Sequence, residues 1–502
     1  MPRPRGRLSS ADLDVAVVGS GFAGLLVSRE LARAGREVTV FERGGLLTHR
    51  EQLERSRQEV PEPTAEHNHE VDPDAPYHWD YAYAVGGGSI HWTGVAPRLL
   101  PSDLELCSRY GVGRDWPLSY AELLPYYREA ERLLGVAAGP NPLFGDEPAG
   151  ALPPHSLSPI DTLLAEPLAP LVPIPQARAT RVLGGRAACC GATVCRLCPV
   201  DARFSMLHLL DDSGLGRDPR LTIRDRTVVA GLRTAGDRVE ALEILNARRE
   251  PGVVRAATVV LAAGGLENPG LLLRSGLGGG DVGRFLYDHG HRMVHLRLDR
   301  PVPNGRGSAM TTGISYAWAD REGRSERGAQ LVIPFNPGLE LWSILTRDIA
   351  RGASGRALFE QARVRYERTL LLDTVGEDLP RPERRVELSP NRDSFGLPLN
   401  RLVYPPDEGY VERGRVAMLD ELIERLRPLG ARIVDIDLVG LGAHQLGTCR
   451  MGGVVDGDQR HLRYGNLFVT GGSAFPSYGP AHPTLTICSL AIRLGRLLAG
   501  SA

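Results

Sequence analysis

Three groups of residues in this chain have types and spacings that could do chemistry. The first is a pair of histidines near the C-terminus. His444 opens His444-Gln-Leu-Gly-Thr-Cys-Arg-Met-Gly-Gly, and His482 sits in Tyr478-Gly-Pro-Ala-His-Pro-Thr-Leu-Thr. A neutral imidazole, with an ordinary pKa near 6.5, can take a hydroxyl proton at neutral pH. The second group is Gly19-x-Gly21-x-x-Gly24 near the N-terminus, followed by Glu42. The third is Cys189-Cys190-Gly-Ala-Thr-Val-Cys195-Arg-Leu-Cys198-Pro. A nucleotide that accepts hydride and a histidine that accepts a proton are together the layout of an enzyme that oxidises alcohols.

The glycines matter only if the right elements flank them. Residues 14–18 (Asp-Val-Ala-Val-Val) read as a buried parallel strand. Residues 22–34 carry Ala23, Leu26, Val27, Leu31 and Ala34 at helical spacing, and Gly35 stops that helix. Val38 to Phe41 is a second strand, with Glu42 at its carboxyl end. In this context Gly19 gives the tight turn, and Gly21 lets backbone approach a pyrophosphate. Gly24 lets helix and strand pack closely. The helix N-terminus supplies free N–H groups and positive dipole to the phosphates. Glu42 can accept from both ribose hydroxyls and would repel a 2′-phosphate, which disfavours NADP. The pattern indicates an adenine dinucleotide without separating FAD from NAD.

Two further stretches extend this binding region. Val85-Gly86-Gly87-Gly88-Ser89-Ile90-His91-Trp92-Thr93-Gly94 is a second glycine cluster, suited to laying backbone against a flat or charged ligand. Ala257-Thr-Val-Val-Leu-Ala-Ala-Gly-Gly is a buried strand ending in a glycine turn, the place where nucleotide sites form. Ser119 and Glu122 form a capping box at the start of a helix. Residues 136–176, rich in Pro, Ala and Gly, read as a surface excursion or lid.

Composition excludes several functions. A chain of 502 residues is too long for one core, so two domains are the default. The net charge of −1 gives no electrostatic case for nucleic acid or an anionic membrane. No apolar run approaches the roughly 18 residues of a membrane span. Every basic residue is arginine. Schiff-base catalysis and the Walker phosphate loop both need lysine, so both are excluded. Residues 1–10 lack the apolar stretch of a secretion signal. The default expectation is therefore cytoplasmic, with export alongside a signal-bearing partner as the alternative.

Four of the seven cysteines lie within ten residues, which favours metal or redox chemistry over a disulfide framework. Cys190-x4-Cys195-x2-Cys198 has the spacing of a plant-type iron–sulfur run, with Cys189 next door in place of the distant fourth ligand. Soft thiolates select iron–sulfur or zinc. Plain buried thiols are the third reading.

With these residues in view, the chain resembles the glucose–methanol–choline (GMC) flavoprotein oxidoreductases over nearly its whole length. The resemblance rests on the Gly19 fingerprint, the Gly86–Gly88 loop, Trp116-Pro-Leu-Ser-Tyr, Ala262-Ala-Gly-Gly, Val282-Gly-Arg-Phe-Leu-Tyr-Asp-His and the C-terminal block. It implies FAD as cofactor and an α/β fold. A Rossmann-like FAD-binding domain is joined to an inserted α+β substrate domain on a six-stranded, mainly antiparallel sheet backed by helices. The expected division is 11–110, 178–295 and 440–502 for FAD, 296–439 for substrate, and 111–177 as an excursion or lid, with a contribution to the substrate domain as the alternative.

The resemblance also implies roles. His444 is the general base, and His482 holds the substrate oxygen. Gly19, Gly21, Gly24, Glu42, Gly87, Gly88, His91, Thr93, Gly472 and Thr484 contact FAD. His91 matches a histidine that carries a covalent flavin in pyranose oxidases, while related enzymes bind it non-covalently. Cys189, Cys190 and Cys195 match ligands of a three-iron cluster, and Cys198 is a fourth ligand or a bystander, giving [3Fe-4S] or [4Fe-4S]. The reaction implied is oxidation of a sugar, polyol or glycoside CH–OH, with electrons leaving to a cytochrome or ferredoxin. The alternatives are a pyranose oxidase-like enzyme that reduces O2 to H2O2 without a cluster, and a flavin-containing lyase or structural subunit without redox turnover.

Overall fold

The computed structural model of the chain describes residues 12–58, 69–73, 75, 78–79, 81–145, 152–192, 197–305, 310–336, 340–406, 409–438 and 441–500. The N-terminal reading is met by the strand Asp12–Val18, the helix Phe22–Arg33 and the strand Val38–Phe41. Gly35 follows the helix at φ +88°, a left-handed conformation that favours glycine. Asp12–Val18 is central to a seven-stranded mixed sheet. It pairs in parallel with Val38–Phe41 on one side and with Pro251–Leu261 on the other. Pro251–Leu261 is long enough to take two partners along its other edge. Its first half pairs antiparallel with Arg238–Leu245, and its second half pairs in parallel with Leu467–Val469. The C-terminal segment is thereby stitched into the sheet that carries the first glycine loop. The helix Thr484–Leu498 then packs against Phe22–Arg33, where the Cβ that Gly495 lacks would come 2.6 Å from Cβ of Glu30.

The second sheet has six strands, all paired antiparallel, in the order Arg432–Leu438, Gly290–Arg297, Thr369–Gly376, Gln330–Phe335, Gly313–Trp318 and Leu171–Pro173. One face is apolar. Val294, Leu296, Leu370, Leu372 and Val332 pack on Met418, Leu419 and Leu422 of the helix Tyr410–Leu426. Because strand side chains alternate, the opposite face carries His291 and Asp373. One expectation is corrected here. Residues 159–176 are no surface excursion: Ile160, Leu164 and Leu168 are buried in the second core, and Leu171–Pro173 is the sheet's edge strand. Pro and Gly richness signalled irregular backbone, but that backbone is held by packing. The capping box is present, with Ser119 N–H donating to Glu122 at 2.8 Å and Glu122 N–H donating to Ser119 Oγ at 3.3 Å. Among the described residues, no helix is long and apolar enough to cross a membrane.

A buried ionic triad joins the two layers. Arg324, 1% exposed, lies between Asp103 of the first segment and Glu377, which follows the strand Thr369–Gly376. Arg324 Nε and Ala329 N–H both donate to Glu377 Oε2, at 2.8 and 3.0 Å, and Leu100 N–H donates to Asp103 Oδ2 at 2.9 Å. Burial pushes both carboxyl groups up, and the guanidinium between them opposes the shift. Replacing Arg324 with Met leaves two uncompensated buried carboxylates, which should cost about 3–5 kcal/mol. Urea unfolding should show this loss, and Asp103→Asn with Glu377→Gln added to Arg324→Met should recover part of it.

Candidate active site

A cavity of about 510 Å³ runs between the carboxyl ends of the first sheet and the polar face of the second. Gly19, Gly21, Glu42, Gly87, Gly88, His91, Thr93, Gly472, Thr484, His444 and His482 all line it. Gly24 is the exception among the expected residues. A Cβ there would stand 1.9 Å from the Gly19 carbonyl oxygen, so Gly24 serves the packing of helix on turn. Gly19, at φ +99°, would put a Cβ 2.6 Å from the Ala262 carbonyl oxygen, and this close approach joins the two strand-end turns. Gly21 and Gly87 touch across the cavity mouth, while a Cβ on Gly88 would meet nothing within 4 Å. The bare backbone therefore faces the space where a ligand fits.

The helix Phe22–Arg33 has no side-chain cap and no acid in its first turn, so its N–H groups are left for an anion. The helix Thr484–Leu498 starts in the same way, with Pro483 and Thr484 on the cavity wall. Glu42 does more than face a ribose. Its carboxylate accepts from Ser20 N–H at 3.1 Å, Ser20 Oγ at 2.7 Å and Gly44 N–H at 2.8 Å, which fixes the glycine turn. Burial raises its pKa against these bonds. An uncapped helix start, bare glycine backbone and a buried acid at the second strand fit an adenine dinucleotide.

At the other end of the cavity the structure gathers four histidines. The His444 and His482 rings lie 5.1 Å apart, and His291 is 5.4 Å from His444 and 5.8 Å from His482. His289 Nδ1 lies 2.8 Å from His444 Nδ1, and His289 Nε2 lies 2.8 Å from the Gly479 carbonyl. A carbonyl only accepts, so His289 Nε2 carries the hydrogen. A neutral His289 then accepts at Nδ1, and His444 must donate from its own Nδ1. The lone pair of His444 is left on Nε2. Asp288 holds the backbone beneath, accepting from His289 N–H at 2.7 Å and His444 N–H at 3.0 Å. His482 Nδ1 is buried with no partner in the protein, so it is a donor or acceptor in reserve.

Burial, assisted by the neighbouring imidazoles, lowers His482 and His289 to about 3 and puts His444 well below its ordinary value. Burial raises Asp288 to about 7. His291 moves the other way. Its burial is outweighed by Asp373, whose Oδ1 is 3.4 Å from His291 Nδ1, so its pKa is raised. His289, His291, Asp288 and Asp373 were not singled out from the sequence as site residues. The first two were legible as His289-Gly-His291, spaced to share one face of a strand. Asp373 has no local signal at all.

The cysteine run does not assemble in the same way. Among the described residues, only His289, His291 and His444 bring three potential metal-ligand atoms within 4.8 Å of one another. Cys190 is exposed, Cys189 half-buried, and Cys198 is buried with its Sγ accepting from Ala202 N–H at 3.2 Å. Cys195 lies outside the described residues. The three described thiols thus do not by themselves form the expected cluster site.

Residues 380–491 match the GMC oxidoreductase family, and residues 17–71 match the NAD(P)-binding Rossmann-like domain. The chain thus carries a GMC oxidoreductase C-terminal domain and a Rossmann-like nucleotide-binding domain. It is similar to the fructose dehydrogenase large subunit of Gluconobacter japonicus, at 29% identity over 96% of each chain. It is equally similar, at 29%, to the 6'''-hydroxyparomomycin C oxidase of Streptomyces lividus, over 97% of this chain and 91% of that one. The crystal structure of pyridoxine 4-oxidase from Mesorbium loti superposes with a TM-score of 0.68 at 20% identity, covering 97% of this chain and 99% of the other, which shows the shared fold.

Two outcomes follow for this site. The pKa values of His444, His482 and His289 are depressed, so their base forms persist as pH falls. The profile of kcat/KM should keep its plateau below pH ~6.5, the ordinary histidine value. Replacing His289 with Leu removes the acceptor that fixes the His444 tautomer and should lower kcat/KM about ten- to a hundredfold. His289→Gln, whose amide oxygen can accept the same hydrogen, should restore part of the rate. Steady-state kinetics across pH on flavin-loaded protein would check both.

Proposed function

We propose that this protein oxidises a CH–OH group of a sugar, polyol or glycoside to the carbonyl, with FAD in the dinucleotide cavity. The observation that carries this reading is that His444 and His482 stand on the wall of the same cavity whose far end is built from the two glycine loops. FAD, when bound, supplies a hydride acceptor. The protein does the rest. His444 takes the hydroxyl proton at Nε2, the nitrogen its hydrogen bond to His289 leaves free. His482 holds the same oxygen and aims the carbon. The uncapped start of Thr484–Leu498 offers N–H groups to negative charge that develops beside it. The relatives' names support the substrate class: one is a fructose dehydrogenase, another acts on an aminoglycoside.

The same comparison supports electron transfer to a partner protein, since the fructose enzyme's chain is named as a large subunit. Reduction of O2 is the competing route, and a relative named as an oxidase supports it. An anaerobic mix of the flavin-loaded protein with a sugar and polyol panel should bleach the flavin, and a small-molecule electron acceptor should restore its colour faster than air does. His444→Ala should keep the flavin and lose about a hundredfold or more in the rate of bleaching. A flavin that no alcohol bleaches would favour a scaffold role and overturn the reading. Iron measured on the same sample locates the electron exit. Flavin without stoichiometric iron matches the scattered thiols, whereas several irons per chain would return Cys189, Cys190, Cys195 and Cys198 to the pathway.

A further inference from the structure

Resting on that reading, the face of the second sheet turned toward the histidines carries a pair that the proton transfer does not use. His291 lies on Gly290–Arg297 and Asp373 on the neighbouring Thr369–Gly376. In the antiparallel register Met293 is opposite Asp373 and Val375 is opposite His291, so His291 and Asp373 are diagonal neighbours on one face. Their polar atoms lie 3.4 Å apart, and both line the cavity with His444 and His482. The other face of these strands is filled by Leu296, Leu370 and Leu372, so the pair is held on a rigid, packed base.

The charges of the cavity are unevenly placed. Glu42, Arg43, Glu267 and Arg274 line it together with the dinucleotide loops and the two flanking strand ends. At the histidine end Asp373 is the one lining carboxylate, and no arginine lines that end among the described residues. A substrate acid would find no permanent cation there, and His291 is already matched by Asp373. A carboxylate can accept from two hydroxyls, while the imidazole can donate to an oxygen. The separation of His291 from His444 and His482 is short enough for one small polyhydroxylated molecule to touch all three.

We propose that His291 and Asp373 form a recognition subsite for a hydroxyl on a carbon near the one oxidised, selecting neutral polyhydroxy substrates over monohydric alcohols and sugar acids. Asp373 accepts from that hydroxyl, and His291 donates from Nδ1 to the carboxylate and so orients it. Neither residue is assigned a proton-transfer step.

The test compares kcat/KM for D-glucose and D-mannitol with that for benzyl alcohol and D-gluconate, in the flavin-loaded wild type and in Asp373→Asn and His291→Phe. The expected result is a wild-type preference for the polyols. That preference, taken as a ratio to benzyl alcohol, should fall about ten- to a hundredfold in either variant, mainly through KM. Flavin content and the thermal midpoint identify a variant that has not folded. Asp373→Glu, which keeps the carboxylate, then provides the second reading and should retain part of the preference. An unchanged ratio in variants that fold and still oxidise benzyl alcohol overturns the subsite while leaving the proposed reaction standing. Wild type that prefers gluconate also overturns it. Wild type whose flavin is bleached by none of the four overturns both.

Discussion

The geometry of the reacting end depends on two buried acceptors: the Gly479 carbonyl and the Asp288 carboxyl group. The carbonyl sets the hydrogen on His289, His289 sets the hydrogen on His444, and the lone pair arrives at His444 Nε2 as a consequence. Asp288 ties the backbone just before the strand Gly290–Arg297 to the backbone at His444. Paired backbone bonds between Tyr287 and Leu446, and from Gly283 to Thr448, continue that seam. Three distant stretches of sequence, around 288, 444 and 479, are thereby fixed relative to one another. A catalytic imidazole held this way loses neither tautomer nor orientation to solvent.

At the nucleotide end the constraint is steric. Gly19 and Gly24 are glycines because backbone carbonyls occupy the space of their missing Cβ atoms. These contacts press the turn after Asp12–Val18 against the turn after Pro251–Leu261 and leave Gly21 and Gly88 bare. The two ends use opposite means. Phosphate binding is left to N–H groups and helix dipoles, which carry no side-chain charge to desolvate. Proton transfer is left to imidazoles whose burial keeps them uncharged.

Much of this was legible in the sequence because it is local. Strand, turn, helix and acid follow one another within residues 14–42, and each has its own physical signature. The six-stranded antiparallel sheet came instead from the resemblance, since its strands are scattered from Leu171 to Leu438 and no local pattern orders them. Residues 159–176 were read as surface because Pro and Gly report the irregularity of a backbone and not its burial. His289 and Asp288 were quoted as part of a motif without a role, because their function lies in a hydrogen bond across more than a hundred residues. Asp373 was invisible for the same reason: only the register of Thr369–Gly376 against Gly290–Arg297 brings it to His291. The cysteine run is a different case: spacing suggested a cluster, but spacing does not show that sulfurs converge, and Cys195 lies outside the described residues.

The histidine cluster also limits how a proton can leave. Each imidazole that gains a charge raises the cost of charging its neighbours, and burial adds to that cost for all of them. A proton added to His289, His444 or His482 therefore makes a second one costlier. Passing it to His289 leads nowhere, because that ring's other nitrogen is already committed to Gly479. Asp288 is buried beneath the seam and offers no way out. The exit must lie on the cavity side, through Nε2 of His444 toward His482 and the product's own space. On the proposed reaction, proton release is then coupled to departure of the product, since both share the cavity that His444 and His482 line.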